Sequence, residues 1–465
     1  MITILRSFRR GRAARLAACS VLGFSLSSCN LDVFDPDIIT PESLGGPESI
    51  PVAIAGLVGD FQLAYDDYVL YAGLFTDEFI LAGTFPTRQQ VDFRTVDTNN
   101  ISLNSDLWEQ IHTNRFSADN AVATLQPLVG DPEFEADQEL INQGVAFGQF
   151  YGAYSRVMMA EMFCASILGG GREEEINYEG APVSPTERMQ DALALFQQAE
   201  ASATAAGEAD VATAARVGQA RAQMFLGNYS QAASVAGTVD PDFEFVAEYS
   251  SNLPAQYNEV YTFTYGDSQV LRWTVGDGSE ASRNFERFAF YDEWSDVGLL
   301  DPDPPFPTFS SFDATIEVHL QLIYGGGEPP PSANGQRAPI FSSTGFEADI
   351  MRAEAAYRSG DLAGAAVIIN NRLTTGDNPY GKEFAPVAFT GTFESDIREI
   401  GRAYEAGMWL TGHRLHFFRR VFLNDGLDLW WPGHPGSDTT FPIPQQEIDN
   451  NPDVSQGCAS GPPWN

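Results

Sequence analysis

Two stretches of the chain carry side chains suited to holding a flat, hydroxyl-rich ligand. The first is 76–100, where Asp77, Phe79, Phe85, Arg88, Arg94, Asn99 and Asn100 stand in a polar segment. The second is 270–296, with Trp273, Tyr291 and Trp294. Aromatic rings pack against the apolar face of a sugar, and carboxylates, amides and guanidinium groups bond its hydroxyls. The same rings also read as core residues, Phe79 and Trp273 above all, because large aromatics are mostly buried. Trp430-Trp431-Pro432-Gly433-His434 is a further aromatic cluster, in a loop, suited equally to a ligand or to a protein partner.

No catalytic constellation accompanies these residues. The chain has no Gly-x-Ser-x-Gly elbow and no His-Glu-x-x-His helix. Gly276-Asp277-Gly278-Ser279-Glu280-Ala281 follows a strand-like run but lacks the βαβ surroundings of a dinucleotide loop, and reads as a turn. His413 and His416 are three apart, close enough on a helix to share a metal, yet Arg414, Arg419 and Arg420 beside them oppose a cation. Paired carboxylates are not diagnostic among 63 acids. No catalytic residue, metal or cofactor is expected.

The elements that must position the candidate residues are mainly helices. Apolar residues recur at helical spacing over 52–72, 105–128, 138–163, 185–205, 209–225, 229–238, 344–358, 361–373 and 393–411. Ser105 stands as an N-cap for the second of these. Aligning Gly227 with Gly360 superposes Ala220 on Ala353, Ala222 on Ala355, Asn228 on Asp361, Ala232 on Ala365 and Ala233 on Ala366. Helix, Gly-Asn or Gly-Asp turn and Ala-rich helix form a tetratricopeptide-type unit: glycine supplies the left-handed turn and alanine the close approach. Residues of about 240–343 lie between the two hairpins and alternate β-branched and aromatic residues with Pro and Gly clusters. They read as an irregular, loop-rich insertion bearing short strands, carried on an all-α frame.

The N-terminus adds a compartment. Five arginines without an acid precede a short apolar run from Leu16 to Leu26, which is a signal sequence too short to cross a bilayer. Leu26-Ser27-Ser28-Cys29 then has the spacing a lipoprotein signal peptidase requires, so residues 1–28 are expected to be removed and Cys29 acylated. An Asp-, Pro- and Gly-rich tether follows over 29–51, and 52–465 reads as one domain. Loss of the five arginines takes the formal net charge from −37 to −42, which excludes nucleic acid as a natural partner. Cys164 and Cys458 remain, either paired in an oxidising envelope or, for Cys164, buried as a free thiol in an apolar run.

Cys29-Asn30-Leu31-Asp32, Phe150-Tyr151-Gly152-Ala153-Tyr154, Met351-Arg352-Ala353-Glu354-Ala355 and Phe441-Pro442-Ile443-Pro444-Gln445-Gln446-Glu447 with Asn451-Pro452 occur in an order that resembles SusD/RagB-type lipoproteins. Glu405-Ala406-Gly407 with Arg414 and Arg419-Arg420 is similar to that family's Glu-Gly-x-Arg and Leu-Arg-Arg segment, with Met408 to His413 lengthening the interval. The resemblance implies a frame of four tetratricopeptide-like helix pairs with a ligand face on inserted loops. It also implies a lid over a SusC-type TonB-dependent outer-membrane transporter, capturing oligosaccharides or in some cases peptides. The first loop lacks a Trp-rich run, which argues against starch. Two other function classes fit less of the chain: a surface glycan hydrolase, and a tetratricopeptide adaptor with only protein partners.

Overall fold

Long runs rich in Ala, Leu and aromatic residues form the helices that their periodicity predicts. The computed structural model of the chain describes residues 49–81, 85–168, 180–265, 271–272, 300–301, 320–324, 332–430, 436–454 and 458. All belong to one unit, Leu44–Asn465. Its helices are α1 (Ile50–Phe75), α2 (Pro86–Asp92), α3 (Glu109–Leu125), α4 (Gln138–Met162), α5 (Pro185–Ala206), α6 (Ala209–Phe225) and α7 (Tyr229–Ala236). After the insertion begins come α8 (Glu259–Tyr265), α9 (Ala333–Gln336), α10 (Gly345–Arg358), α11 (Leu362–Leu373), α12 (Phe393–Met408), α13 (His413–Asp425) and α14 (Gln445–Asn450). Helix α4 packs against α3 and α5, α5 against α6, and α6 against α7, while α10 lies against both α7 and α11.

The helical hairpins end by one wiring. Gly227 and Gly360 take φ of 74° and 94°. In each case the glycine N–H bonds a carbonyl three residues back, Met224 or Tyr357. The next N–H, of Asn228 or Asp361, bonds a carbonyl five back, Gln223 or Ala356. That is a Schellman turn, satisfying carbonyls that the helix end would otherwise orphan. Gly207 (φ 76°) repeats the pattern between α5 and α6, with Glu208 bonding Ala203. Ala232 and Ala365 are fully buried where the second helix of each pair seats on the first.

Aromatic side chains of α1, α4 and α5 fill the centre. Phe61 lies 4.7 Å from Tyr151 between ring centroids, and Tyr154 lies 5.1 Å from Phe150 and 5.3 Å from Phe196. Buried phenols need partners. Tyr65 donates to the Phe341 carbonyl at 3.0 Å and Tyr154 to that of Ser342 at 2.7 Å, so the core reaches out to the end of the insertion.

Among the described residues, six strands form three two-stranded antiparallel ladders: β1 (Ile80–Leu81) with β3 (Leu271–Arg272), β2 (Glu244–Ala247) with β6 (Ile340–Thr344), and β4 (Leu300–Asp301) with β5 (Leu320–Gln321). The β2–β6 ladder pairs Glu244 with Thr344 and so closes the insertion at its base. Cys164 and Cys458 are joined as a disulfide with Cα atoms 6.1 Å apart, which decides between the two readings of Cys164. Among the described residues no helix is long and apolar enough to cross a membrane.

Candidate functional site

The β1–β3 ladder brings the two candidate stretches together, with Ile80 opposite Arg272 and Leu81 opposite Leu271. Helix α2, on the chain just after β1, turns Arg88 over the Phe263 ring of α8 at 4.0 Å from its centroid, and over Phe85 at 5.4 Å. A guanidinium stacked in this way is held by the ring quadrupoles, a contact of about 0.5–2 kcal/mol. Asp66 and Asp67 of α1 and Glu259 of α8 lie next to it, with Asp106 close by. Asp66 accepts the Glu259 backbone N–H at 3.2 Å, and Tyr71 donates to Asp106 at 2.7 Å.

Burial, and then the mutual repulsion of the carboxylates, raises Asp66, Asp67 and Glu259 above the usual carboxylate range; Arg88 pulls Asp67 and Glu259 back. Carboxyl groups held toward protonation both donate and accept, which suits hydroxyls better than ions. Among the described residues no three His, Cys, Asp or Glu side chains are grouped to hold a metal ion.

The expected site residues divide by position. Phe79 is buried with its ring against Gly73. Asp77 is buried at a left-handed φ of 69°. Arg94 is buried too, donating to the Asp438 carbonyl at 2.6 Å and stacking 4.9 Å from the Trp430 ring. Asn100 uses its whole amide inside the fold: it donates to the Thr87 carbonyl and to Gln90, both at 2.8 Å, and accepts the Leu103 N–H at 3.0 Å. Asn100 thus caps the helical run that leads into α3, where Ser105 was expected to, and a π-helical turn, Leu103–Trp108, follows. Arg88 is buried as well, at 9% exposure, which leaves half-buried Phe85 and exposed Asn99 at the rim, the Asn99 backbone N–H bonding the Asp97 carboxylate at 2.7 Å. Trp273, Tyr291, Trp294 and Cys29 lie outside the described residues, as do Trp431 to His434. Trp430, expected in a loop cluster, is instead buried with its indole N–H on the Phe75 carbonyl at 3.1 Å.

Beneath the rim lies a buried ion-pair system that periodicity does not reveal. Arg221 of α6 meets Glu347 of α10 at 2.8 Å and contacts His413. His413 is itself 3.2 Å from Glu347. His416 binds Glu161 at 2.6 Å, and Tyr68 shares that carboxylate. The histidines therefore serve two different carboxylates rather than one ion. Glu405 pairs with Arg414 across the lengthened motif, and Glu354 takes both Arg420 and Arg358. Burial alone would raise Glu347, but Arg221 and His413 outweigh it and hold the carboxyl far below its ordinary value. Burial lifts Glu161 to about 7 and Glu78 to about 8.

No protein-family model matches this sequence, and no curated protein sequence matches it. Solved structures do match. A SusD superfamily protein from Bacteroides thetaiotaomicron is 13% identical with a TM-score of 0.64, spanning 89% of this chain and all of its own. Surface glycan-binding protein A from Bacteroides fluxus is 14% identical with a TM-score of 0.59, covering 89% of this chain and 99% of itself. A laminarin-binding SusD-like protein is 14% identical with a TM-score of 0.52, over 88% and 99%. The chain has the SusD-like helical fold over about nine-tenths of its length.

Proposed function

We propose that this chain is a surface glycan-binding protein, anchored at the outer membrane by lipid on Cys29, that passes oligosaccharides to a SusC-type TonB-dependent transporter. The observation that carries the reading is the SusD-like fold, shared with proteins described as laminarin-binding and surface glycan-binding. Three features support it. The rim formed by α2, α8 and the β1–β3 ladder offers stacked Arg88, Phe85 and Phe263 beside carboxyls biased toward protonation. The Cys164–Cys458 disulfide suits an oxidising envelope. The large negative charge repels polyanions, so neutral glycans are the expected class. The protein acts by binding, without turnover. Of the first-loop residues, Phe85, Arg88 and Asn99 are assigned to the ligand, together with Trp273, Tyr291 and Trp294 from the insertion.

Affinity electrophoresis through gels cast with laminarin, starch, xylan and an acidic polysaccharide tests this directly. Retardation by a neutral glycan is expected, and Arg88→Ala should reduce it several-fold while the circular dichroism stays unchanged. If no polysaccharide retards the protein while peptides bind in calorimetry, the glycan reading fails. Cys29→Ala is expected to abolish labelling by a palmitate analogue and to release the protein from the membrane fraction; retained labelling would refute the anchor. The tagged wild type should recover a large β-barrel from detergent-solubilised outer membrane.

A further inference from the structure

Residues 436–454 and Cys458 lie as a strap between two parts of the fold that are far apart in sequence. On one side it is zipped to the first candidate loop. Gly436 N–H bonds the Phe93 carbonyl at 2.9 Å, and Asp438 N–H bonds that of Arg94 at 3.2 Å. Arg94 returns a bond to the Asp438 carbonyl at 2.6 Å, while the Asp438 carboxylate takes the Val96 N–H at 2.9 Å. Gln445 bonds Thr98 through both backbone and side chain, at 2.8 and 2.9 Å, and Gln446 accepts from Asn104 at 2.9 Å. On the other side the strap lies parallel to the end of α4. Phe441 N–H bonds the Met162 carbonyl at 2.8 Å and its carbonyl takes the Cys164 N–H at 3.1 Å. Asp453 and Asn451 each bond the Gly180 backbone, at 3.2 and 3.3 Å, and Cys458 closes the disulfide to Cys164.

The loop these bonds hold is not at rest by itself. Arg94 sits at φ 55°, a left-handed conformation that strains a non-glycine residue and persists only where its surroundings fix it. The seat is also sterically specific: a Cβ on Gly436 would collide with the Arg94 carbonyl oxygen.

We infer that the C-terminal strap, fastened to the end of α4 by the Cys164–Cys458 disulfide, is the positioning element of the ligand loop. Its role in binding rests on the reading of 76–100 as part of the ligand face; its role in ordering 93–104 does not. Without the disulfide the strap keeps its hydrogen bonds from Phe441 onward and the buried side chains of Phe441, Ile443 and Val454, but it loses the covalent closure of its far end, whose hydrogen bonds can then open to solvent. The order of 93–104 then loses its distant anchor while the helical frame keeps its own core.

Hydrogen–deuterium exchange on the exported protein tests this, comparing wild type, wild type treated with a phosphine reductant, Cys458→Ser and Gly436→Ala. Exchange over 93–104 is expected to rise about tenfold in the last three, with the amides of α4 to α6 unchanged. Unchanged exchange over 93–104 on reduction and in Cys458→Ser overturns the inference, and so does a uniform rise across the frame. Gly436→Ala guards against a disulfide that is merely redundant: it should loosen the same segment with the disulfide intact, and failure to do so also overturns it. In the laminarin gels, weaker retardation of these variants extends the strap's role to binding. Faster exchange with undiminished retardation keeps the strap and removes 76–100 from the ligand face.

Discussion

Glu347→Gln is expected to destabilise the protein by about 3–5 kcal/mol in urea unfolding at neutral pH, the cost of stripping the partner from a buried ion pair. Both sides of the pair are sealed: the Arg221 and Glu347 side chains are 3% and 1% exposed. Arg221 would keep its bond to the Ser342 carbonyl at 2.8 Å and its place beside the Tyr154 ring, 5.5 Å from the centroid, but would lose the carboxylate that it binds directly. His413 cannot take over as counterion, since an imidazole carries no negative charge in either protonation state; burial, and then the Arg221 charge, hold its pKa below the ordinary value. Removing both charges should cost much less. Arg221→Met with Glu347→Leu leaves no orphaned ion, so its unfolding midpoint should lie closer to wild type than that of Glu347→Gln. A double variant at least as unstable as the single one would mean that the pair stabilises beyond its own neutralisation.

The long helices were legible because each carries an uninterrupted apolar stripe and ends on turn chemistry. The boundaries expected at 209–225 and 185–205 fall within a residue of α6 and α5. The Gly227 and Gly360 repeat was legible for the same reason, since only glycine accepts that φ without strain. Helix α13 was not expected. Its buried face carries His413, His416, Arg419 and Arg420, residue types that show no apolar stripe and are buried only because Glu347, Glu161 and Glu354 arrive from α10 and α4. Pairings between residues dozens to hundreds of positions apart leave no period. The ladders of the insertion, two of them only two residues a side, are likewise too short to show alternation.

Within the candidate site, residue type pointed to the region more reliably than to the residue. Asn100 and Arg94 have the planar polar groups that bind hydroxyls, but a loop closing onto a strap needs the same groups to satisfy its own carbonyls. Arg88 is buried like them and is distinguished by Phe263, 175 residues away, stacked against its guanidinium. The adjacency of the two candidate stretches follows from the β1–β3 pairing, a contact that no local pattern encodes.

Acid should unfold the protein through its buried ion pairs, Glu354 among them with Glu347, and the pH profile should have two limbs. Glu354 lies fully buried between Arg420, which grips both its oxygens, and Arg358, 2.8 Å away, which also holds Asp425 at 2.7 Å. Burial alone would raise this carboxyl, but the two guanidinium groups hold it at about 2 against an ordinary 4.5. A depressed carboxyl stabilises the fold above its unfolded pKa, and that contribution disappears as the pH falls from about 4.5 through about 2, a loss on the order of 3 kcal/mol. Glu78 has the opposite sign. Burial lifts it to about 8, Arg414 only partly opposing, so its proton favours the folded chain in acid and the benefit is lost as the pH rises through about 8. The Glu78 loss runs from about pH 4.5 to about 8, so stability measured by urea midpoint should peak where the two limbs meet, at about pH 4.5. Glu354→Gln should lower the plateau and flatten the acid limb. Glu78→Gln, which keeps an acceptor for the Leu410 N–H that Glu78 now takes at 3.2 Å, should flatten the alkaline limb and raise the midpoint at about pH 8–9. An acid limb of unchanged slope in Glu354→Gln would remove the Glu354 clamp as its cause.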